Sequence, residues 1–256
     1  ADLPFTREPP PLAFGNASRD TLESLLRFGG FPEPWLSQND RVLKRWQKER
    51  FERVFREDIR DLENIRSLSQ VEILGALLPG RVGSPLSIQS LSEDVEASPH
   101  SLKSWIELLC RNYYIFRVPP WNKRLQRALK KEAKYYLWDW SEVPSEGARF
   151  ENLVACHLLK WCHYYQDHHG VAVDLYYVRD LEKREADFLI VWEQKPWLLV
   201  ECKVGAERHG THLRYFGERM GVTHRCLTTL RGDGDFEDAS SGVRTIPAAR
   251  FLTAFL

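Results

Sequence analysis

The chain has 256 residues, more than the roughly 100–150 of a typical single domain and enough for two cores. Thirty-six Lys and Arg balance thirty-six Asp and Glu, which excludes a uniformly basic nucleic-acid coat and an acidic tail and leaves a polyanion site only as a local patch. Hydrophobic residues at 43% and aromatics at 12% argue against disorder, and no window approaches the ~18 uninterrupted apolar residues of a membrane span.

Residues 1–11 hold no basic stretch leading into an apolar segment, so no secretory signal is expected. The cysteines, Cys110, Cys156, Cys162, Cys202 and Cys226, are odd in number and form no CxxC pair, the usage of reduced thiols in a cytoplasmic protein.

Three segments follow in chain order: a helical stretch over 1–69, a second region over 70–140 and an α/β region over 141–256. In the first, Leu22, Leu25 and Leu26 make an apolar stripe that stops at Gly29-Gly30, and Phe31-Pro32-Glu33-Pro34-Trp35 reads as an extended or turning link. A longer helix is expected from Asp40 to about Leu62, with Val42, Leu43, Trp46, Phe51, Val54, Phe55 and Ile59 recurring at helical steps. Its many charges read as a solvated face.

In the second region Leu74, Leu77 and Leu78 mark one helix, Ser87 caps a second, and Ser98-Pro99 opens a third that runs to Cys110. Strands are expected over 113–118 and 134–138. Three helices and a hairpin in that order outline a winged helix-turn-helix, whose third helix enters a major groove. The hairpin carries Arg117, Lys123, Arg124, Arg127, Lys130, Lys131 and Lys134 against Glu132 alone, a wing suited to a phosphate backbone. A solvated loop or a contact to another domain explains the same charges.

The third region reads as helix over 149–165, strands over 173–178, 186–191 and 197–201, a helix over 208–219, and a strand over 225–230, with a polar loop over 231–242. Glu201 and Lys203 are two apart on a strand, so they leave on one face with Cys202 on the other. A hairpin turn centred on Gln194 pairs Val191 with Trp197, Leu189 with Leu199 and Asp187 with Glu201, setting two carboxylates side by side. A one-residue slip would send Asp187 to the other face. Helical angles place Glu151 at the edge of a buried face made by Phe150, Val154, Leu158, Trp161 and Tyr165.

Adjacent acids at the end of an apolar strand need a compensating cation. Lys203 supplies part of it, and Mg²⁺ or Mn²⁺, held by Asp187, Glu201 and the Cys202 carbonyl, would supply more. Such an ion polarises a phosphodiester oxygen, and Lys203 would orient water or offset charge in the transition state. Other groupings are weaker. Cys156, Cys162, His163, His168 and His169 match no common zinc spacing, Cys202 faces away from Glu201 and reads as core, and Trp192 and Trp197 suit packing better than base stacking.

Glu151, Asp187 and Glu201-Cys202-Lys203 together resemble the PD-(D/E)XK nuclease superfamily. Gly29-Gly30-Phe31-Pro32-Glu33, Arg56-Glu57-Asp58-Ile59, Lys134-Tyr135-Tyr136-Leu137-Trp138-Asp139, Phe150-Glu151-Asn152-Leu153-Val154, Glu185-Ala186-Asp187-Phe188 and Val200-Glu201-Cys202-Lys203 extend the likeness. From about Leu25 onward the chain is similar to the C-terminal region of a bacterial and archaeal family of AAA-type ATPases that carry a C-terminal domain of unknown function. The resemblance implies a winged helix followed by a nuclease-like domain, DNA as a partner, an ATPase domain in cis or in trans, and Glu151, Asp187 and Glu201 as metal ligands. No GxxxxGK[ST] occurs, so no nucleotide site is expected in these residues. A non-catalytic DNA-binding or protein-interaction arm of the ATPase stands as the alternative, because a nuclease-like fold does not fix activity.

Overall fold

The computed structural model describes residues 8–58, 68–121, 132–206 and 210–256 as a mixed α+β chain, helical at first and sheet-based later. These residues form two compact units. One takes in Glu23–Arg117 and Glu132–Asn152, and the other takes in the remaining described residues.

Helix α1 (Arg19–Phe28) buries Leu22, Leu26 and Phe28. Gly29 ends it at φ +80°, where a side chain is strained, and a Cβ there would lie 2.7 Å from Asp139 Oδ1. A Cβ at Gly30 would run into the Trp140 ring. The glycine pair is thus needed for close approach as well as for the turn.

The expected link over 31–35 instead forms a short helix, α2 (Pro32–Ser37), because Pro32 occupies a first-turn position that needs no N–H donor. Helix α3 (Asp40–Glu52) starts under the Asn39 cap, whose side chain accepts from the Arg41 N–H at 2.9 Å. It passes into a π-helical turn over Arg53–Asp58, where Val54 and Phe55 are buried. The remainder of the predicted helix lies outside the described residues.

Helix α4 (Leu68–Leu77) packs on that turn, and Gly75 leaves room for the Phe55 ring. Helices α5 (Ile88–Val95) and α6 (Pro99–Arg111) begin at Ser87 and Ser98, whose side chains accept from the N–H of Ser90 and Ser101. Tyr113 takes φ +53°, so strand β1 (Ile115–Val118) starts later than the sequence pattern suggests. It forms a two-stranded sheet with β2 (Lys134–Leu137), and Pro85 adds an antiparallel bridge to Lys134.

Helix α7 (Glu146–His169) runs 24 residues, and its part from Leu153 belongs to the second unit. There the strands β3 (Val173–Arg179), β4 (Glu185–Trp192), β5 (Lys195–Lys203), β6 (His224–Thr229), β7 (Phe236–Asp238) and β8 (Val243–Pro247) form one sheet in the order β3-β4-β5-β6-β8-β7. β3, β4 and β5 are antiparallel neighbours, β5-β6 and β6-β8 are parallel, and β7 returns antiparallel to β8. The β5-to-β6 crossover runs through α8 (Thr211–Met220), and a short helix, α9 (Ala248–Leu252), follows β8. Strand β7 corrects the reading of 231–242 as loop throughout: it is three residues long and exposed along its length, so no apolar alternation marks it.

Leu189, Val191, Leu199 and Leu227 pack with Leu213 and Phe216 of α8. Trp161 of α7 meets Trp192 and Trp197, with ring centroids 5.9 and 5.3 Å away. Both hairpin tryptophans are buried, which makes them core. Among the described residues no helix is long and apolar enough to cross a membrane.

Candidate active site

The β4–β5 hairpin sets the geometry. Its turn is the residue pair Glu193-Gln194, both at positive φ (46° and 66°), and Trp192 pairs with Lys195. Val191 then pairs with Pro196, not with Trp197 as the turn arithmetic proposed. Trp197 is the extra residue of a bulge, after which Ile190 pairs with Leu198, Leu189 with Leu199 and Phe188 with Val200. The turn is offset by half a residue from Gln194 and the bulge restores the difference.

One further step along this ladder sets Asp187 beside Glu201. Asp187 Oδ2 accepts the Cys202 backbone N–H at 2.8 Å, so a carboxylate completes the strand end beyond the Phe188–Val200 pair. Lys203 Nζ lies 3.1 Å from Glu201 Oε1, which places both on one face of β5. By strand alternation with Leu189 and Leu199, Asp187, Glu201 and Lys203 share the face that α8 covers.

Burial falls off along β5. Leu199 and Val200 are fully buried, Glu201 is 8% exposed, and the Lys203 side chain is 35% exposed. Among the described residues, Glu201 Oε2 is buried with no hydrogen-bond partner. Burial pushes the Glu201 carboxyl above its ordinary range; Lys203 opposes this, Asp187 adds to it, and His212 on α8 opposes it. His212 carries no motif that would have marked it in the sequence, because only the α8 crossover brings it near β5.

Glu151 is held differently. Its Oε1 accepts from Lys134 Nζ at 3.0 Å and from the Tyr136 hydroxyl at 2.6 Å. It does sit at the edge of the buried face of α7, with its side chain 14% exposed. It belongs to the first unit, whereas Asp187, Glu201 and Lys203 belong to the second. Lys134 is fully buried, which removes it from the set of phosphate-contacting wing residues: it lies in β2, where its ammonium faces Glu151. Lys123, Arg124, Arg127, Lys130 and Lys131 lie outside the described residues.

Asp187 and Glu201 offer adjacent carboxylates, and the orphaned Oε2 is the kind of hard oxygen Mg²⁺ accepts. Among the described residues no three His, Cys, Asp or Glu come together as a metal cage. The pair therefore fits a cation that completes its shell with backbone, water or substrate oxygens. Cys156, Cys162 and Cys226 are buried and Cys110 and Cys202 are half-buried.

Residues 19–142 match a domain of unknown function (DUF8612), and residues 146–251 match another (DUF4143). The chain is 24% identical over 190 residues to the uncharacterized protein MJ1544 of Methanocaldococcus jannaschii, a match that covers 70% of this chain and 41% of that protein. The chain thus spans less than half of this relative's length. No solved structure matches.

Proposed function

We propose that this chain is a DNA-binding, divalent-metal-dependent nuclease-like module of an AAA-type ATPase, hydrolysing phosphodiester bonds at Asp187, Glu201 and Lys203. One observation carries the reading: the orphaned oxygen of buried Glu201 lies on the strand face shared with Asp187 and Lys203. An unpaired buried acceptor is costly and is retained where a ligand uses it. The succession α7, three antiparallel strands, α8 and a parallel strand supports a PD-(D/E)XK fold for the second unit. The succession α4, the Pro85 bridge, α5, α6, β1 and β2 supports a winged helix in the first.

Each residue has a distinct part. The Cys202 N–H fixes the Asp187 carboxylate, so this acid is oriented before any ligand arrives. Glu201 presents Oε2, and Lys203 holds Oε1 while its partly exposed ammonium can meet charge developing on a phosphoryl group. A bound divalent cation would polarise the phosphoryl oxygen and acidify water. In this reading Glu151 serves as counter-charge to Lys134 and is not a ligand.

The DNA contact rests on the basic segment 123–131 more than on α6. Lys103 and Arg111 on α6 are offset by Glu93, Asp94, Glu96 and Glu107, all exposed on or beside α5 and α6. Cleavage of plasmid and linear duplex with Mg²⁺ or Mn²⁺ tests the proposal. Wild type should cut, and Asp187→Ala and Lys203→Ala should not; equal cutting by all three identifies a contaminant and sinks it.

A second reading, a non-catalytic DNA-binding or protein-interaction arm of the ATPase, is favoured by the lack of a three-ligand cage among the described residues. It predicts salt-sensitive duplex binding that Asp187→Ala leaves intact, without cleavage.

A further inference from the structure

The β3–β4 turn lies at the sheet end that carries the acids, because β4 begins there and antiparallel β5 ends there. Arg179 pairs with Glu185, and inside that pair the Asp180 N–H donates to the Arg184 carbonyl at 3.1 Å. Lys183 takes φ +65°, the left-handed residue that so short a hairpin loop uses. The Asp180 carboxylate then fixes the turn: Oδ1 accepts the Arg184 backbone N–H at 2.9 Å, and Oδ2 accepts from Arg184 Nε at 2.6 Å.

These bonds set the Arg184 guanidinium over α8. Its Cζ lies 3.9 Å from the centre of the Tyr215 ring, and Nη2 donates to the Tyr215 hydroxyl at 2.9 Å and to Glu182 at 3.0 Å. One face is covered and the Nε and Nη2 edge is spent, so the 35% of the side chain that is exposed is the opposite face with the Nη1 edge. Lys183 and Arg184 balance Asp180 and Glu182, which leaves the turn neutral and poorly suited to gripping a phosphate. Its tip adds Leu181, 90% exposed.

A fixed planar cation with its charge already balanced and an apolar neighbour suits the flat face of a nucleobase, since bases stack on guanidinium planes. Arg184 precedes Asp187 by three residues, about 10 Å of extended chain, which is the reach from a phosphate to the base of a neighbouring nucleotide. Tyr215 stands one turn along α8 from His212, whose charge acts on Glu201, so one helix joins the turn to the acids. Inside a duplex both faces of a base are covered by its neighbours. Only a base that has left the stack can lie on Arg184.

We propose that the β3–β4 turn is a stacking platform for an unpaired nucleobase, held on Arg184 with Leu181 at its rim, so that the carboxylate site takes DNA with a single-stranded stretch beside the scissile phosphate. This rests on the nuclease reading above and narrows its substrate class.

The test measures binding by the whole chain in EDTA, where no cleavage occurs. The probes are a labelled thymidine oligonucleotide and a duplex closed by hairpins at both ends. Arg184→Lys keeps the charge and loses the plane, and should weaken single-strand binding on the order of tenfold, leaving closed-duplex affinity and the salt slope unchanged. Leu181→Ser, at a solvent-exposed tip that the fold does not depend on, should weaken the single strand on the order of threefold. Equal single-strand affinity in wild type and both variants, or equal weakening on the two probes, overturns the proposal. Cleavage is scored separately, on forked and closed duplex with Mn²⁺. Variant-sensitive single-strand binding by a protein that never cuts would keep the platform and remove the nuclease reading; cutting of both substrates at one rate by wild type and Arg184→Lys would keep the nuclease and remove the platform.

Discussion

If Glu201 is kept for a ligand, replacing it with an apolar residue of similar length should stabilise the empty protein. Glu201→Met removes the orphaned Oε2, a burial penalty of about 1–3 kcal/mol. It also removes the contact with Lys203, whose side chain is 35% exposed, so solvent screening limits that loss to about 0–1 kcal/mol. The net expectation at pH 7 is a gain of about 1–2 kcal/mol in urea unfolding with EDTA present. Because the Glu201 carboxyl titrates above its ordinary range, wild type loses stability as pH rises through that folded value. The advantage of the variant is therefore small near pH 4 and grows toward neutrality. Mg²⁺ at a hundredfold excess over its dissociation constant should add about 2.7 kcal/mol to wild type and nothing to the variant. A variant destabilised by more than about 1 kcal/mol, with neither protein responding to Mg²⁺, would show that Glu201 is structural and refute the reasoning.

Glu151→Leu should lose about 3 kcal/mol in the same assay, because it takes the carboxylate away from the buried Lys134 ammonium and the Tyr136 hydroxyl. Adding Lys134→Met should bring stability back to within about 1 kcal/mol of wild type; loss of Mg²⁺ binding at unchanged stability would instead make Glu151 a ligand. Gly75→Ala should destabilise by about 2 kcal/mol or more despite better helix propensity, since its Cβ collides with the Phe55 ring, and Phe55→Leu should rescue part of that loss in a double-mutant cycle. If the basic segment neutralises phosphates, Lys130→Ala with Lys131→Ala should lower the salt dependence of duplex binding by about two charges, and an unchanged slope would move the contact elsewhere.

Much of the sheet was legible because β4 and β5 carry long apolar runs, and Leu189 opposite Leu199 followed from a simple turn count. That count succeeded through two offsets that cancel: a two-residue turn where a centre on Gln194 was assumed, and a bulge at Trp197. Periodicity reports neither, since both are single-residue events. Lys134 was misassigned for a different reason. Read among neighbouring lysines it belongs to a basic loop, whereas the strand turns it inward to Glu151, a partner 17 residues away. His212 was invisible because its relation to Glu201 depends on a helical crossover. Gly29-Gly30 announced a helix end, but the approach of Asp139 and Trp140 that makes both glycines necessary could not be read from local pattern.

The bulge gives Trp197 influence over chemistry it does not touch. Were its backbone drawn into the ladder, each later residue of β5 would shift by one, and Asp187 would align with Val200 and face the Cys202 side of the sheet. The carboxylates meet because an odd residue is set aside, and the ring of Trp161 stacks on that residue's indole at 13° between planes. Parity, a property of counting, is thereby guarded by aromatic packing: enlarging or emptying the tryptophan cluster would act on the acidic site as a switch of strand face, with every acidic side chain still present.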